Sequence, residues 1–396
     1  MVQPLGMRGP AATGPSRLHA LLGDRVRGGV MGRGASRRTV LVTALGGGVA
    51  AVAGAIGLAA LSASRPPSAP RVPHLRWSAP FGEADEPVGA WAADDTTLYA
   101  CRDQDVVRAL DGATGAVRWT AATHAWYVVP SDGVLVFAHA EAVGALDAAT
   151  GRPVWEMRRA SSVNHAIDVS HGTVVAVAQE GVPTDPLGFP MKVVALDAAT
   201  GARLWTSEQY EFVGTLRVGA GAGAAYYCQD ERLVAREIRT GAVRWTAPVI
   251  GINAEVLGAT EDFVVVRDNG LVVIDAATGR RCWGANWQVS SVAFAGGLLV
   301  AQTMVGTSRA RLSAVHGVDP ASGTLVWTVL PSGEPASPAV STDGFVYLSV
   351  RDGATSAYGA ATGELLWRHD AGTPVAARGR DVYLLAGGEL HALTGP

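Results

Sequence analysis

Short runs in which apolar and polar residues alternate with a period of two recur along the chain, and each ends in the same turn chemistry. The run Ala145-Leu146-Asp147-Ala148-Ala149-Thr150-Gly151-Arg152-Pro153-Val154-Trp155 returns as Ala195 to Trp205, Val273 to Trp283 and Ala109 to Trp119. Alternation before the turn predicts a strand. Asp and Thr supply side-chain oxygens that hold the turn's amides, and Gly takes the positive φ of a bulged hairpin, so a second strand returns. Trp falls on that returning strand, where its ring can fill the wedge between neighbouring sheets while its N–H finds a backbone oxygen. The four-residue step from Gly to Trp occurs seven times, at Gly115/Trp119, Gly151/Trp155, Gly201/Trp205, Gly241/Trp245, Gly279/Trp283, Gly323/Trp327 and Gly363/Trp367. Successive copies lie 36 to 50 residues apart, which is the period of a four-stranded propeller blade. No helical stripe accounts for the pattern.

The phrase Ala-x-Asp-x-x-Thr-Gly-x-x-x-Trp resembles the tryptophan-docking motif of pyrroloquinoline-quinone-type propeller repeats. These are found in quinoprotein alcohol dehydrogenases, BamB-type envelope proteins and many actinobacterial proteins. The resemblance spans residues 72–396 and is specific for fold, not for activity. Its departures are Arg236-Glu237 in the fourth copy, Ser322 for Thr in the sixth and Gly359 for Asp in the seventh.

Both ends of the repeat region are needed to count the blades. After Trp367, Asp381 to Leu385 and Glu389 to Gly395 read as two strands with no Trp to follow, whereas Val72 to Trp77 carries a Trp with no strands before it. The expected fold is therefore an all-β, eight-bladed β-propeller closed by an N-terminal strand, with Trp77 as the eighth docking ring beside Trp119, Trp155, Trp205, Trp245, Trp283, Trp327 and Trp367. Closure of this kind removes open sheet edges between the two ends. Seven blades with a loose tail is the alternative.

Charge is nearly balanced, with 32 basic and 35 acidic residues, so nothing points to nucleic acid. Cys101, Cys228 and Cys282 fall in different blades and read as buried thiols; no CxxC or zinc spacing occurs. Residues 1–38, rich in Gly, Pro and Arg, read as a disordered cytoplasmic segment or export n-region. Residues 39–64 are uncharged and long enough to span a bilayer. Their Arg-rich upstream flank keeps the N-terminus cytoplasmic, and Ser36-Arg37-Arg38-Thr39-Val40-Leu41 resembles a twin-arginine export signal. An uncleaved anchor and a cleaved signal both place the propeller outside the cytoplasm, on the cell membrane or exported. Met31 is a candidate alternative start, and residues 65–71 read as a Pro-rich spacer.

The resembled dehydrogenases use calcium, a catalytic Asp and adjacent cysteines over their quinone. This chain has no adjacent cysteines, and no other catalytic motif stands in a suitable setting. No catalytic residue, cofactor or metal is therefore expected. A polar set near the inner-strand starts lines the expected channel mouth: His124 and Trp126 in blade two, Asn164 and His165 in blade three, Asn253 and Glu255 in blade five, and Asn286, Trp287 and Gln288 in blade six. It reads either as a small-molecule site or as the ordinary lining of a water-filled channel. Blades three and six also carry insertions between their second and third strands, 179–191 and 304–311. In them Phe189 and Met191 offer an apolar anchor, and Arg309 and Arg311 offer charge; tolerated loop drift is the other reading.

Two function classes follow. The first is a non-catalytic, envelope-associated scaffold or sensor that binds a protein or peptide partner on its loop face. A sensory ectodomain of the kind appended to actinobacterial serine/threonine kinases is a variant of it. The second is a small-molecule (quinone-type) binder or quinone-dependent oxidoreductase working at the channel mouth.

Overall fold

The computed structural model describes the chain from Val72 to Gly395, except residues 83–87, 103–104, 140, 159–166, 180–188, 209, 213–217, 230, 250, 252–253, 308–309, 332–338, 342–343, 351–352 and 371. The segments expected at 1–38, 39–64 and 65–71 lie outside the described residues.

The described residues are all-β and build eight antiparallel sheets, seven of them ordered by sequence from their innermost to their outermost strand. The innermost strand of every blade lies against those of its two neighbours around the whole circle, so the ring is closed. Blade eight is composite. Its first three strands are Thr373–Arg378, Asp381–Ala386 and Glu389–Thr394, and its fourth is His74–Pro80, which pairs antiparallel with Glu389–Thr394 from His74 opposite Thr394 to Pro80 opposite Glu389. Eight blades, not seven with a tail, are therefore present. An Arg76–Asp381 ion pair and a Thr394–Asp381 hydrogen bond pin the latch.

What joins one blade to the next is the repeated phrase. Each of the seven turns of the repeated phrase is flanked by a β-bulge that leaves one residue of the returning strand without a partner, Val154 between Pro153 and Trp155 in blade two, and its glycine takes a φ between 67° and 75°. That glycine sits on the face of the tryptophan from the preceding blade. A Cβ built on Gly151 would stand 2.5 Å from the Trp119 ring, and one on Gly115 would stand 2.6 Å from Trp77. The indole then donates its N–H to the carbonyl one residue past the Asp position. The bonds run from Trp77 to Gly112 O (3.1 Å), Trp119 to Ala148 O (2.9 Å), Trp155 to Ala198 O (2.9 Å) and Trp205 to Ile238 O (2.8 Å). They continue from Trp245 to Ala276 O (2.9 Å), Trp283 to Pro320 O (2.7 Å) and Trp327 to Ala360 O (2.7 Å). Trp77 thus acts as the eighth ring, handing the circle from blade eight to blade one. Trp367 is the exception. Its ring is fully buried beside Gly395, and its N–H has no acceptor among the described residues.

The turns are held as their composition predicts. Asp147 Oδ1 accepts from the Thr150 amide (2.8 Å) and hydroxyl (2.7 Å), and Asp111, Asp197, Asp275 and Asp319 repeat the arrangement. The Arg118 guanidinium and these hydrogen bonds hold the Asp111 carboxyl at about 2. The Asp147, Asp197, Asp275 and Asp319 carboxyls are also lowered, chiefly by bonds from the turn Thr or Ser. In blade four, Arg236 does additional work. It donates to Gly241 O (2.9 Å), Tyr227 Oη (2.8 Å) and Glu208 (2.6 Å), and it lies 6.0 Å from the Trp205 ring centre. The cysteines divide: Cys101 and Cys228 are buried, but Cys282 is exposed on its blade's outer strand, contrary to the expected burial. It neighbours the docking Trp283, so its side chain points to the other face of the strand.

Two substitutions separate docking from backbone strain. Gly133 has a φ of 83° with nothing within 4 Å of an added Cβ, whereas Gly151 combines φ 71° with the Trp119 ring. Gly133→Ala should cost about 1 kcal/mol and Gly151→Ala on the order of 3 kcal/mol, read as urea midpoints at unchanged m-value. Acid supplies a second check. Because the turn carboxyls titrate lower folded than unfolded, they stabilise above pH 3.8 and lose that contribution as pH falls through their folded values. Asp147→Asn should flatten the stability profile in that acid range.

Candidate functional site

Four antiparallel strands per blade, with a link from the outermost strand to the next blade's innermost, assign every connection to one of two faces. Hairpins between first and second strands and the docking turns share one face. Hairpins between second and third strands and the inter-blade links share the other. The candidate mouth residues and both insertions therefore belong to this second, link face.

In blade two the link carries His124, Ala125 and Trp126, anchored by the Trp126 amide donating to Ala138 O at 2.8 Å. The His124 Nδ1 lies 2.7 Å from Asp105 Oδ1 of blade one. Its ring meets Trp126 edge-on at 5.9 Å and His139 edge-on at 5.1 Å, and His139 stacks on Phe137. Two imidazoles, a carboxylate and an indole thus converge, an arrangement suited to stacking and hydrogen bonding. Among the described residues no group of three or more His, Cys, Asp or Glu side chains could hold a metal ion. Asp105 and His139 carry no local signal; the topology alone brings them to His124.

In blade six Asn286 and Gln288 are exposed and Trp287 is half-buried. Trp287 stacks on His316 with ring centres 5.1 Å apart. His316 is held between Thr303 (3.0 Å) and Thr328 (2.9 Å), and burial pushes its imidazole down to about 4. No period or spacing singles out this buried trio. Glu255 differs from its expected place at an open mouth. It is 8% exposed and paired with Arg267, which reaches Val289 O of blade six at 3.0 Å. A carboxylate so deeply placed needs a fixed cation, and Arg267, directly opposite it in the same blade, supplies one while bonding across to blade six. Asn164, His165, Asn253 and Arg309 lie outside the described residues.

The insertions also differ from free loops. In blade six Leu298–Thr307 and Ala310–Val318 form one long ladder, in which Gly306 pairs with Arg311. The β-branched Val305 and Thr307 continue the alternation, so strand geometry persists where a loop was expected. In blade three Phe189–Asp197 begins within the insertion, and Phe189 and Met191 pair across to Phe212 and Tyr210 of a fifth strand, Tyr210–Phe212. Two open cavities lie apart from the mouth residues. One, of about 450 Å³, is lined by Asp94, Asp95, Asp132 and Arg378 on the docking-turn face; the other, of about 420 Å³, lies around Tyr227, Arg232 and Arg236.

Fold and docking geometry define the class as a pyrroloquinoline-quinone-like β-propeller. The model of the family described as outer membrane protein assembly factor BamB matches residues 102–255, 190–317 and 311–395, and the chain belongs to that family. The BamB structure from Moraxella catarrhalis is similar, with TM-score 0.59 and 17% identity over 82% of this chain and 98% of that one. So is the quinohemoprotein alcohol dehydrogenase from Comamonas testosteroni, with TM-score 0.61 and 15% identity over 81% of this chain and 76% of that one. These likenesses show the fold. The serine/threonine-protein kinase AfsK of Streptomyces coelicolor is 33% identical over 147 residues, which are 36% of this chain and 17% of the kinase.

The His316 environment predicts a neutral-to-acid slope. Its folded value of about 4 lies below the ordinary 6.5, so the unfolded chain takes up the proton first and stability falls as pH drops through that window. His316→Gln should be less pH-sensitive between pH 7 and pH 5 in urea unfolding than the parent chain.

Proposed function

We propose that the chain is a non-catalytic envelope scaffold or sensor whose link face receives a protein or peptide partner. The observation that carries this reading is the concentration of departures on that face. The blade-six ladder and the five-stranded blade three both enlarge it, whereas the docking turns occupy the opposite one. Enlargements that the ring does not need are where a repeat array carries recognition. Membership in the BamB family and the likeness of 147 residues of this chain to part of the serine/threonine-protein kinase AfsK support a scaffold or sensor. We place the propeller outside the cytoplasm, tethered through residues 39–64 or released by cleavage after them.

Chemical cross-linking on native cells, followed by mass spectrometry of the affinity-purified full chain, tests the reading. A partner captured by the parent chain should be lost from the Phe189→Ala/Met191→Ala variant and kept by Asp262→Ala, which alters an exposed turn on the other face. A partner lost only from Asp262→Ala reverses the assignment of faces. The convergence of His124, Trp126, His139 and Asp105 favours the second reading, a small molecule at the mouth. Saturable tryptophan quenching by pyrroloquinoline quinone with calcium, together with dye-coupled alcohol oxidation, would replace the scaffold by an oxidoreductase.

A further inference from the structure

Every propeller blade leaves the outer side of its fourth strand without a partner, and natural sheets guard such edges with charge or proline. Seven of the eight outer strands do so here. His74–Pro80, Val117–Ala122, Pro153–Arg158, Arg203–Thr206, Val243–Pro248, Arg281–Ala285 and Leu365–His369 contain Arg76, Arg118, Arg158, Arg203, Arg244, Arg281 and Arg368 respectively. Three of them add Pro80, Pro153 or Pro248. The eighth, Leu325–Val329 of blade six, reads Leu-Val-Trp-Thr-Val and has neither guard. From Pro320 to Gly333 the chain has no charged residue at all.

This edge is also rigid and apolar. Trp327 is 8% exposed and locked to Ala360 O, which fixes the strand from behind, while Val326 is 50% exposed and Leu330 is 73% exposed. Val326 and Leu330 stand symmetrically about Thr328. We infer that this strand pairs antiparallel with the same strand of a second copy, about a two-fold axis through Thr328. In that register Val326 faces the second copy's Leu330 and Leu330 faces its Val326, so the two exposed apolar residues cover each other twice. The ladder carries no charge to oppose its own image. An arginine strand paired with itself in this way would bring two guanidinium groups into one short ladder. The ladder ends where Pro331 offers no N–H. The inference is independent of what the link face binds.

Light scattering on the size-separated full chain in mild detergent, corrected for bound detergent, tests it. The parent chain should have twice the chain mass. Val326→Arg places arginine where Arg76, Arg118 and Arg244 stand before their docking tryptophans, so the fold accepts it; it should return the mass to one chain, keep a single cooperative unfolding transition and lose the concentration dependence of the parent's midpoint. Val154→Arg, the same position in blade two, should leave the dimer intact. In a Cys282→Ser background, Val326→Cys/Leu330→Cys should form a disulfide between copies and either single cysteine variant should not. A parent chain of single mass, a dimer that survives Val326→Arg, or single variants that cross-link as well as the double would overturn the proposal.

Discussion

The ring depends on one contact made repeatedly: an indole laid flat on a glycine that has no side chain, with its N–H passed to the carbonyl beside it. The two halves of this contact come from different blades, so a blade is incomplete until its neighbour is in place. Burial of a large ring supplies most of the attraction, and the fixed carbonyl supplies the angle. The turn that presents both glycine and carbonyl is shaped by an Asp whose oxygen satisfies the amides it bends. Sequence, turn, wedge and ring are thus steps of one causal chain, with the hydrophobic interiors of adjacent sheets meeting only where that contact sets their spacing.

Much of this was legible because the contact is written in a contiguous phrase. The period counted the blades, and Trp77 without preceding strands matched two terminal strands without a tryptophan. Legibility ended where residues distant in sequence meet. Nothing near His124 announces Asp105 or His139, and His316 gives no hint of lying under Trp287. The segment 304–311 reads as a loop because it lengthens the repeat, yet Val305 and Thr307 carry on the strand alternation. Glu255 was rightly placed near an inner-strand start, but its cation, Arg267, belongs to the next strand of its own blade. Departures from the phrase proved structural too: Arg236 stands where other copies have Leu110, Leu146 or Leu196 and braces the Trp205 contact, while the Gly359 turn closes with a backbone bond from Gly363 at 2.7 Å.

The architecture divides work between faces. Docking turns use up one of them, since any enlargement there meets the neighbouring blade's indole. The link face is not so constrained, and it gathers the extended ladder, the added strand and the His124 cluster. Family membership is consistent with that division without dictating the chemistry, because the same wheel underlies both an assembly factor and an alcohol dehydrogenase.

The circle is not uniform. Seven seams are closed by an indole N–H and a carbonyl; the eighth, between blades seven and eight, has no such bond among the described residues and relies on the dry burial of Trp367 in a cluster with Val382, Leu384 and Leu393 of blade eight, beside Gly395. In a chain of nearly equal couplings, fluctuations collect at the weakest. The chain itself crosses that seam between Leu365–His369 and Thr373–Arg378, so an opening there leaves the two blades tethered and free to close again. The wheel accordingly has a preferred place to breathe, and its amide exchange should be graded outward from that point around the circumference.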